Sequence, residues 1–254
     1  MNGSRTSIGT PTSDTSRLLM RGVDVLTDIV GQKTFAETFY FILTGRFPTA
    51  PQLKILDAAL VVLMDHGLSQ SAIVARTIAD SAPGQIQVAL AGAALMIGDK
   101  FAGTMAGTAA LLREGHAHAG DAREWAADVV ARYRREGLRI PGFGHPYYKV
   151  ADPRAARLMS IADEAGVEGR YLGLLKTLSE AVDRAAGRPV VMNATAVLGA
   201  MLCEIDFPEP AIRSVAVISR MAGLAAHVCE ELENPLVPGW VDYANRIEYR
   251  DPDE

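Results

Sequence analysis

The densest concentration of reactive side chains in this sequence is Pro141-Gly142-Phe143-Gly144-His145-Pro146-Tyr147-Tyr148-Lys149, with Asp152-Pro153-Arg154 just behind it. Histidine is the side chain whose ordinary titration falls near neutrality, so a loop that holds one rigidly can donate or move a proton. Pro141 and Pro146 stiffen the turn by fixing φ, while Gly142 and Gly144 let a ligand approach the backbone. Asp152 is placed as an N-cap and Pro153 as a first helical residue, so a helix begins under Arg154. The free N–H groups and positive dipole end of that helix attract an anion. The chemistry favoured is acid–base work on an anionic substrate. Spacing alone leaves a purely structural loop, with His145 as a cap, equally open.

The remaining candidates are few. His116 and His118 form an H-x-H turn with no third ligand nearby, so a solvated turn is the better reading and no metal site is expected. His66 ends an apolar helix beside Gly67, where a cation is favoured by the helix dipole. Arg220 and His227 lie seven residues apart and share one helix face amid apolar neighbours. A buried arginine there needs an anion, either an internal carboxylate or a substrate carboxylate. Lys149, Arg154, Arg157 and Arg188 gather cations near the central loop of a chain whose net charge is −5, which suits carboxylates or phosphates. The sequence has no P-loop, dinucleotide glycine fingerprint, zinc-binding helix or nucleophile elbow. It gives no support to ATP hydrolysis, a nicotinamide cofactor or serine hydrolysis.

These groups must be positioned by helices. Residues 1–16 form a polar tail, and a first helix is expected after Asp14-Thr15-Ser16, weakened by Gly22. Thr34 and Glu37 make a capping box, with Gly45 as the stop. Pro51 opens a helix that ends at Asp65-His66-Gly67, and Ser69 caps another over 70–81. An apolar segment covers 85–98, and small residues from Gly103 to Ala110 suit close helix packing. A charged amphipathic helix ends near Gly137, followed by helices over 153–165, 171–186 and 192–203. Pro208 and Pro210 open a long apolar helix to about 232, and the tail from Asn234 has little periodicity. Val190-Val191-Met192 is the nearest approach to a strand, so the class is all-α. Cys203 and Cys229 are expected as reduced core thiols. The negative charge argues against nucleic-acid binding, and no uncharged run is long enough for a membrane span. A cytoplasmic location is the expectation.

The segment from Pro141 to His145, with Tyr148-Lys149 and Asp152-Pro153-Arg154, resembles the signature of the citrate synthase superfamily. Asp65-His66-Gly67 with Ser71 and Arg76 is similar to the family's upstream histidine helix. Ser219-Arg220-Met221-Ala222-Gly223 resembles its arginine helix, and Ala226-His227 with Glu230 and Glu231 its tail. Gly98-Asp99-Lys100-Phe101, and Arg188-Pro189 before Met192-Asn193, resemble the citryl-CoA lyase members, including the lyase module of ATP-citrate lyase.

The resemblance implies a two-lobed helical fold: a large lobe of 17–102 with 206–254, and a small CoA-binding lobe of 103–205. It assigns His145 to the oxygen at the reacting carbon, and His66, Arg154, Arg220 and Asn193 to the carboxylate substrate. Lys149, Arg188 and the backbone of Pro141, Gly142, Phe143 and Gly144 would hold coenzyme A, which enters as part of the substrate. It implies a homodimer. Three positions depart from the pattern: Phe101 stands where synthases have a histidine, Thr195 where a catalytic aspartate is expected, and Asn234 near an expected arginine, for which Arg246 or Arg250 is a substitute. Asp99 is the candidate acid in place of Thr195. The implied activity is cleavage of citryl-CoA or a related 3-hydroxy-3-carboxyacyl-CoA. The alternatives are citrate or 2-methylcitrate synthase-type condensation, and a catalytically impaired CoA- or carboxylate-binding protein.

Overall fold

The computed structural model describes residues 4–252, the side chains of Lys100 and Phe101 excepted. Helix α1 (Phe35–Thr44) starts where its sequence says it must. Glu37 N donates to Thr34 Oγ1 at 3.2 Å, and Thr34 N donates to the Glu37 carboxylate at 2.8 Å, so the capping box closes. Left-handed Gly45 ends it.

The helix expected after Asp14-Thr15-Ser16 does not form. In its place are two short paired strands, β1 (Leu19–Met20) and β2 (Val23–Asp24), followed by a five-residue π-helical turn, Val25–Ile29. The physical reason lies at Arg21 and Gly22, both with positive φ, which turn the chain back on itself. The Arg21 guanidinium then donates to the carbonyls of Ile42 and Leu43 at 2.7 and 3.4 Å, satisfying acceptors left over at the end of α1.

The rest of the regular structure is helical: α2 (Ala50–Leu63), α3 (Gln70–Ser81), α4 (Ile86–Ala94), α5 (Thr104–Ala117), α6 (Ala122–Arg135), α7 (Pro153–Ala165), α8 (Arg170–Ala186), α9 (Ala194–Glu204), α10 (Ile212–Glu233) and α11 (Val237–Ala244). The all-α expectation holds. Ser69 stands at the start of α3 without capping it; its hydroxyl pairs instead with Ser71 Oγ at 3.1 Å. Helix α11 lies in the tail that showed little periodicity. Its start is set by Leu236 N and Val237 N donating to the Glu231 carboxylate, five and six residues back, at 2.8 and 2.9 Å.

The chain divides into two compact units, one made of the segment up to Ala59 with Gly103–Arg213, the other of Leu60–Ala102 with Ser214–Glu254. In the first, α9 is the centre. Every residue from Ala196 to Cys203 is buried, as befits a helix apolar all round. Helices α5, α7 and α8 pack on it, and α6 covers α8. Helix α1 fastens the far end of α9. Tyr40, fully buried, donates its hydroxyl to Ile205 O at 2.7 Å, and Phe39 and Tyr40 pack on Phe207 with ring centroids 5.9 and 6.2 Å away.

In the second unit, Ala72, Ala75 and Ala79 of α3 meet Ala89 and Ala93 of α4 and Leu224 and Val228 of α10. By length and composition α10 with its preceding turn is apolar enough to cross a membrane. It packs here as a core helix, and the buried Ser219 hydroxyl donates to the Leu60 carbonyl. Cys203 is buried as expected, whereas Cys229 is exposed because it falls on the outer face of α10.

The Tyr40 hydroxyl gives a direct test of the α1–α9 clamp. Tyr40→Phe leaves the buried Ile205 carbonyl short of a donor and is expected to cost about 1–2 kcal/mol. The measurement is urea unfolding, with a lower midpoint at unchanged slope.

Candidate functional site

The glycine–histidine loop is locked to the start of α9. Gly144 N donates to Val191 O at 2.7 Å, Asn193 N donates to Gly142 O at 3.0 Å, and Phe143 bridges Met192 in antiparallel fashion. The strand-like stretch Val190-Val191-Met192 is thus spent on this one bridge. The Asn193 side chain adds a bond from Nδ2 to Gly144 O at 3.0 Å. Gly142 and Gly144 both have φ of +86°, but they serve different ends. A Cβ at Gly142 would meet Ala196 Cβ and Thr108 Oγ1 at 2.6 Å, so its absence lets the loop seat on α5 and α9. Gly144 faces open space and is the one that leaves room beside the backbone.

Asp152 organises the next layer. Its side chain is fully buried, and it accepts from Arg154 N and Nε at 3.0 Å each, from Arg154 Nη2 at 2.9 Å and from Ala194 N at 2.9 Å. Burial alone would raise this carboxyl, but the Arg154 and Ala194 bonds outweigh it and hold it below the ordinary carboxylate range. One carboxylate therefore caps α7, pins the guanidinium and ties down the first turn of α9.

His145 is fixed through Nδ1, which accepts from Tyr147 N at 3.1 Å and Tyr148 N at 3.0 Å. A neutral ring with Nδ1 as acceptor carries its proton on Nε2. Arg154 Nη2, which can only donate, lies 3.3 Å from that Nε2. Two N–H donors thus stand side by side, 3.3 Å apart. Burial first, then the Arg154 charge, pull the imidazole pKa below its ordinary value, with Asp152 opposing. The two backbone donors at Nδ1 and this lowering both favour the neutral ring. Tyr148 packs against it at 4.6 Å between centroids, with the Arg154 guanidinium 5.6 Å from the Tyr148 ring.

At the N-terminus of α9, Asn193 Oδ1 accepts from Thr195 N at 3.1 Å, Ala196 N at 3.2 Å and the Thr195 hydroxyl at 2.7 Å. The Thr195 proton is committed there, so in the 2.9 Å contact between Thr104 Oγ1 and Thr195 Oγ1 it is Thr104 that donates. The position where a carboxylate was expected is a linking hydroxyl in a bonded chain that ends at the carbonyl before His145.

The other candidates are placed as follows. Lys149 is exposed and folds back, Nζ to Pro146 O at 2.6 Å, and Arg188 is exposed at the end of α8. Arg157 departs from the cluster. It pairs with Glu164 at 2.8 Å, and Arg157, Lys54 and Ser160 together hold that carboxyl down at about 2. His116 packs on Tyr171. In the second unit, His66 and Asp99 are exposed and Arg220 is half-buried, whereas the fully buried arginine is Arg76. His227, expected to act with Arg220, instead meets Arg76 and Asp65. The side chain of Phe101 lies outside the described residues.

Sequence reasoning overlooked three contributors: Thr104, the link from Asp152 to Ala194, and the pairing of Glu231, itself part of the tail motif, with Arg76. The first two join segments some 90 and 40 residues apart and leave no local pattern. Glu231 leaves a trace, an acidic pair closing an apolar helix in a chain with an arginine inside another apolar helix.

A family model for the C-terminal domain of citrate synthase matches residues 53–237. Citrate synthase of Haloferax volcanii is 25% identical over 202 residues, 78% of this chain and 52% of its own length. Putative citrate synthase 2 of Mycobacterium tuberculosis is 29% identical over 188 residues, 72% of this chain and 49% of its own. The chain thus spans about half the length of the curated relatives it matches. Among solved structures, citryl-CoA lyase from Hydrogenobacter thermophilus superposes with a TM-score of 0.87 at 30% identity, covering 98% of this chain and 94% of that one. ATP citrate lyase of Methanosaeta concilii, solved with (3S)-citryl-CoA, shares the fold at a TM-score of 0.78 and 18% identity, covering 99% of this chain and 42% of that one. The family match covers most of the sequence, including the whole loop from Pro141 to Arg154. The chain belongs to the citrate synthase family.

Proposed function

We propose that this protein cleaves citryl-CoA, or a related 3-hydroxy-3-carboxyacyl-CoA, to acetyl-CoA and oxaloacetate or a related 2-oxo acid. The observation that carries this reading is the pair of N–H donors, His145 Nε2 and Arg154 Nη2, held 3.3 Å apart by a buried carboxylate. The near full-length likeness to the Hydrogenobacter thermophilus lyase supports it, as does the Gly98-Asp99-Lys100-Phe101 stretch.

In the reaction the tertiary hydroxyl loses its proton and the C–C bond breaks. The oxygen electron pair closes the ketone, and the bonding pair leaves as the thioester enolate, which is then protonated on carbon. The paired donors stabilise the oxygen as it passes through alkoxide to ketone, where charge develops. A neutral His145 with its proton on Nε2 is a donor to that oxygen and not the base. Asp99 is our candidate for the proton transfers that Thr195, whose hydroxyl has a very high pKa, does not perform.

His66, Arg220 and Asn193 are assigned to the substrate carboxylates, and Lys149 and Arg188 to the CoA phosphates. The backbone of residues 141–144 receives the pantetheine within a small lobe of 103–205, and closure of that lobe would shield the enolate from water. The hydroxyl at Thr195 supports a second reading, a CoA- or carboxylate-binding protein without turnover. Condensation is the same path in reverse.

We further propose a homodimer. Its support is a set of exposed apolar side chains, Ile73 on α3, Ile86 and Val88 on α4, and Leu95 after it, the last 84% exposed.

The activity test supplies citryl-CoA to one sample and acetyl-CoA with oxaloacetate to another, following oxaloacetate and free thiol. Cleavage is expected, with His145→Ala losing ~10²–10³-fold in kcat. CoA binding without turnover of either set would establish the second reading instead. The Nδ1 anchor also fixes a pH dependence. The His145 pKa lies below its ordinary value, so Nδ1 still accepts from Tyr147 N and Tyr148 N at neutrality; as pH falls through that lowered pKa, Nδ1 gains a proton and the loop loses both bonds, while the Nε2–H donor is kept. Activity should fall on the acid side with the imidazole titration seen by NMR, and Arg154→Met, which removes a nearby cation, should move that titration upward. For the assembly, sedimentation velocity should give a two-chain species that Leu95→Glu dissociates; a monomeric wild type would dispose of this part of the proposal.

A further inference from the structure

The unit that carries His66 also holds a buried ionic chain that the proposed reaction does not use. Arg76 of α3 is 1% exposed, and a guanidinium so buried is tolerable only when its charge and donors are met. They are met from α10. Nη1 donates to Glu231 Oε2 at 3.0 Å, Nη2 donates to Glu230 Oε2, and Nε and Nη2 approach His227 Nδ1 at 3.2 and 3.0 Å. Glu231 in turn accepts at its other oxygen from the start of α11. All three guanidinium nitrogens are engaged inside the protein, so Arg76 is not placed to hold a substrate carboxylate.

The arrangement dictates the state of His227. A guanidinium can only donate, so Nδ1 accepts and the ring proton sits on Nε2. From there it goes to Asp65 Oδ1 at 2.9 Å. The other Asp65 oxygen accepts from Gly67 N at 2.9 Å. The chain therefore ends by gripping the backbone on both sides of His66, through Asp65 before it and Gly67 after it. The loop following α2 that carries this exposed histidine is thus anchored on both sides.

We infer that Arg76, His227 and Asp65 form a positioning relay that fixes the loop presenting His66, and so sets affinity for the carboxylate substrate without touching it. The inference rests on the reading of His66 as a carboxylate ligand. Misplacement of a binding group by about 1 Å commonly costs on the order of 10²-fold, so loss of the relay should be visible in binding.

Two kinds of variant separate positioning from bulk. His227→Gln offers an amide oxygen to Arg76 and an amide N–H to Asp65, keeping the relay, while His227→Leu removes both bonds. Asp65→Ala cuts the relay at its half-exposed end and leaves the buried Arg76–Glu231 pair in place, which keeps a folded variant in hand if His227→Leu fails to fold. In the ligand-free full chain, NMR should show the His66 ring and Gly67 amide signals shifted in Asp65→Ala and His227→Leu but near wild type in His227→Gln. Calorimetric titration should show oxaloacetate binding weakened ~10-fold or more in the same two variants, with CoA affinity unchanged. Unmoved His66 signals in Asp65→Ala, or His227→Gln behaving like His227→Leu, would overturn the relay. If wild-type protein binds neither oxaloacetate nor citrate, the carboxylate reading of His66 fails, and the ligand-free spectra still decide the relay.

Discussion

Asp152 buries its carboxylate almost completely, and a buried carboxylate must be matched by donors or give up its charge. Its partners come from three directions: the backbone at the start of α7, the Arg154 side chain, and the first turn of α9. Breaking a buried pair of this kind by removing one partner costs about 3–5 kcal/mol, far more than an exposed salt bridge is worth. The consequence is geometric. Arg154 is held as a rigid fork beside His145, and the loop that carries His145 is tied through Asn193 to the same turn of α9. On the proposed reading these donors are already set before a substrate oxygen binds, the condition under which fixed dipoles stabilise developing charge best.

Both histidines that matter follow one rule. Each offers Nδ1 to groups that can only donate, backbone N–H in the case of His145 and a guanidinium in the case of His227, and each therefore carries its proton outward on Nε2. For His145 the outward Nε2 lies beside Arg154 Nη2, and the proposed reading gives its proton to a substrate oxygen. For His227 it is already used by Asp65. The same chemistry thus makes one imidazole available for a ligand and commits the other to holding a loop.

Much of this was written locally. Thr34 with Glu37, Asp152 with Pro153, and Gly45 are short-range signals whose bonds depend on neighbours within a few residues, and they form as the sequence implies. Where the sequence misled, the decisive contact was long-range or hung on backbone angles. Residues 17–29 turn back because Arg21 and Gly22 take positive φ and Arg21 reaches the end of α1, which no periodicity reveals. Helix α11 is the exception: its start is set by Glu231 only five residues earlier, a side-chain cap that periodicity does not show. In the apolar helix α10 the periodicity placed Arg220 and His227 on one face, yet the arginine sunk in the core was Arg76, 155 residues from its partner Glu231.

Thr195 shows how much a single substitution in a family pattern can mean once its neighbours are known. A carboxylate at this position could exchange protons with a substrate, but it has no hydrogen to give Asn193 at pH 7. In this chain Asn193 Oδ1 already serves two backbone N–H groups and takes the Thr195 hydroxyl as its third donor, while the amide nitrogen holds the Gly144 carbonyl. Reversing that amide would put its N–H groups against two backbone N–H donors, so the orientation is fixed. A hydroxyl therefore strengthens the lock on the loop bearing His145, where a carboxylate would oppose it with two acceptors face to face. Loop order and proton transfer are alternative uses of the same position, and the bonds in this chain serve the first. The proposed cleavage therefore draws its proton from a group outside the first turn of α9.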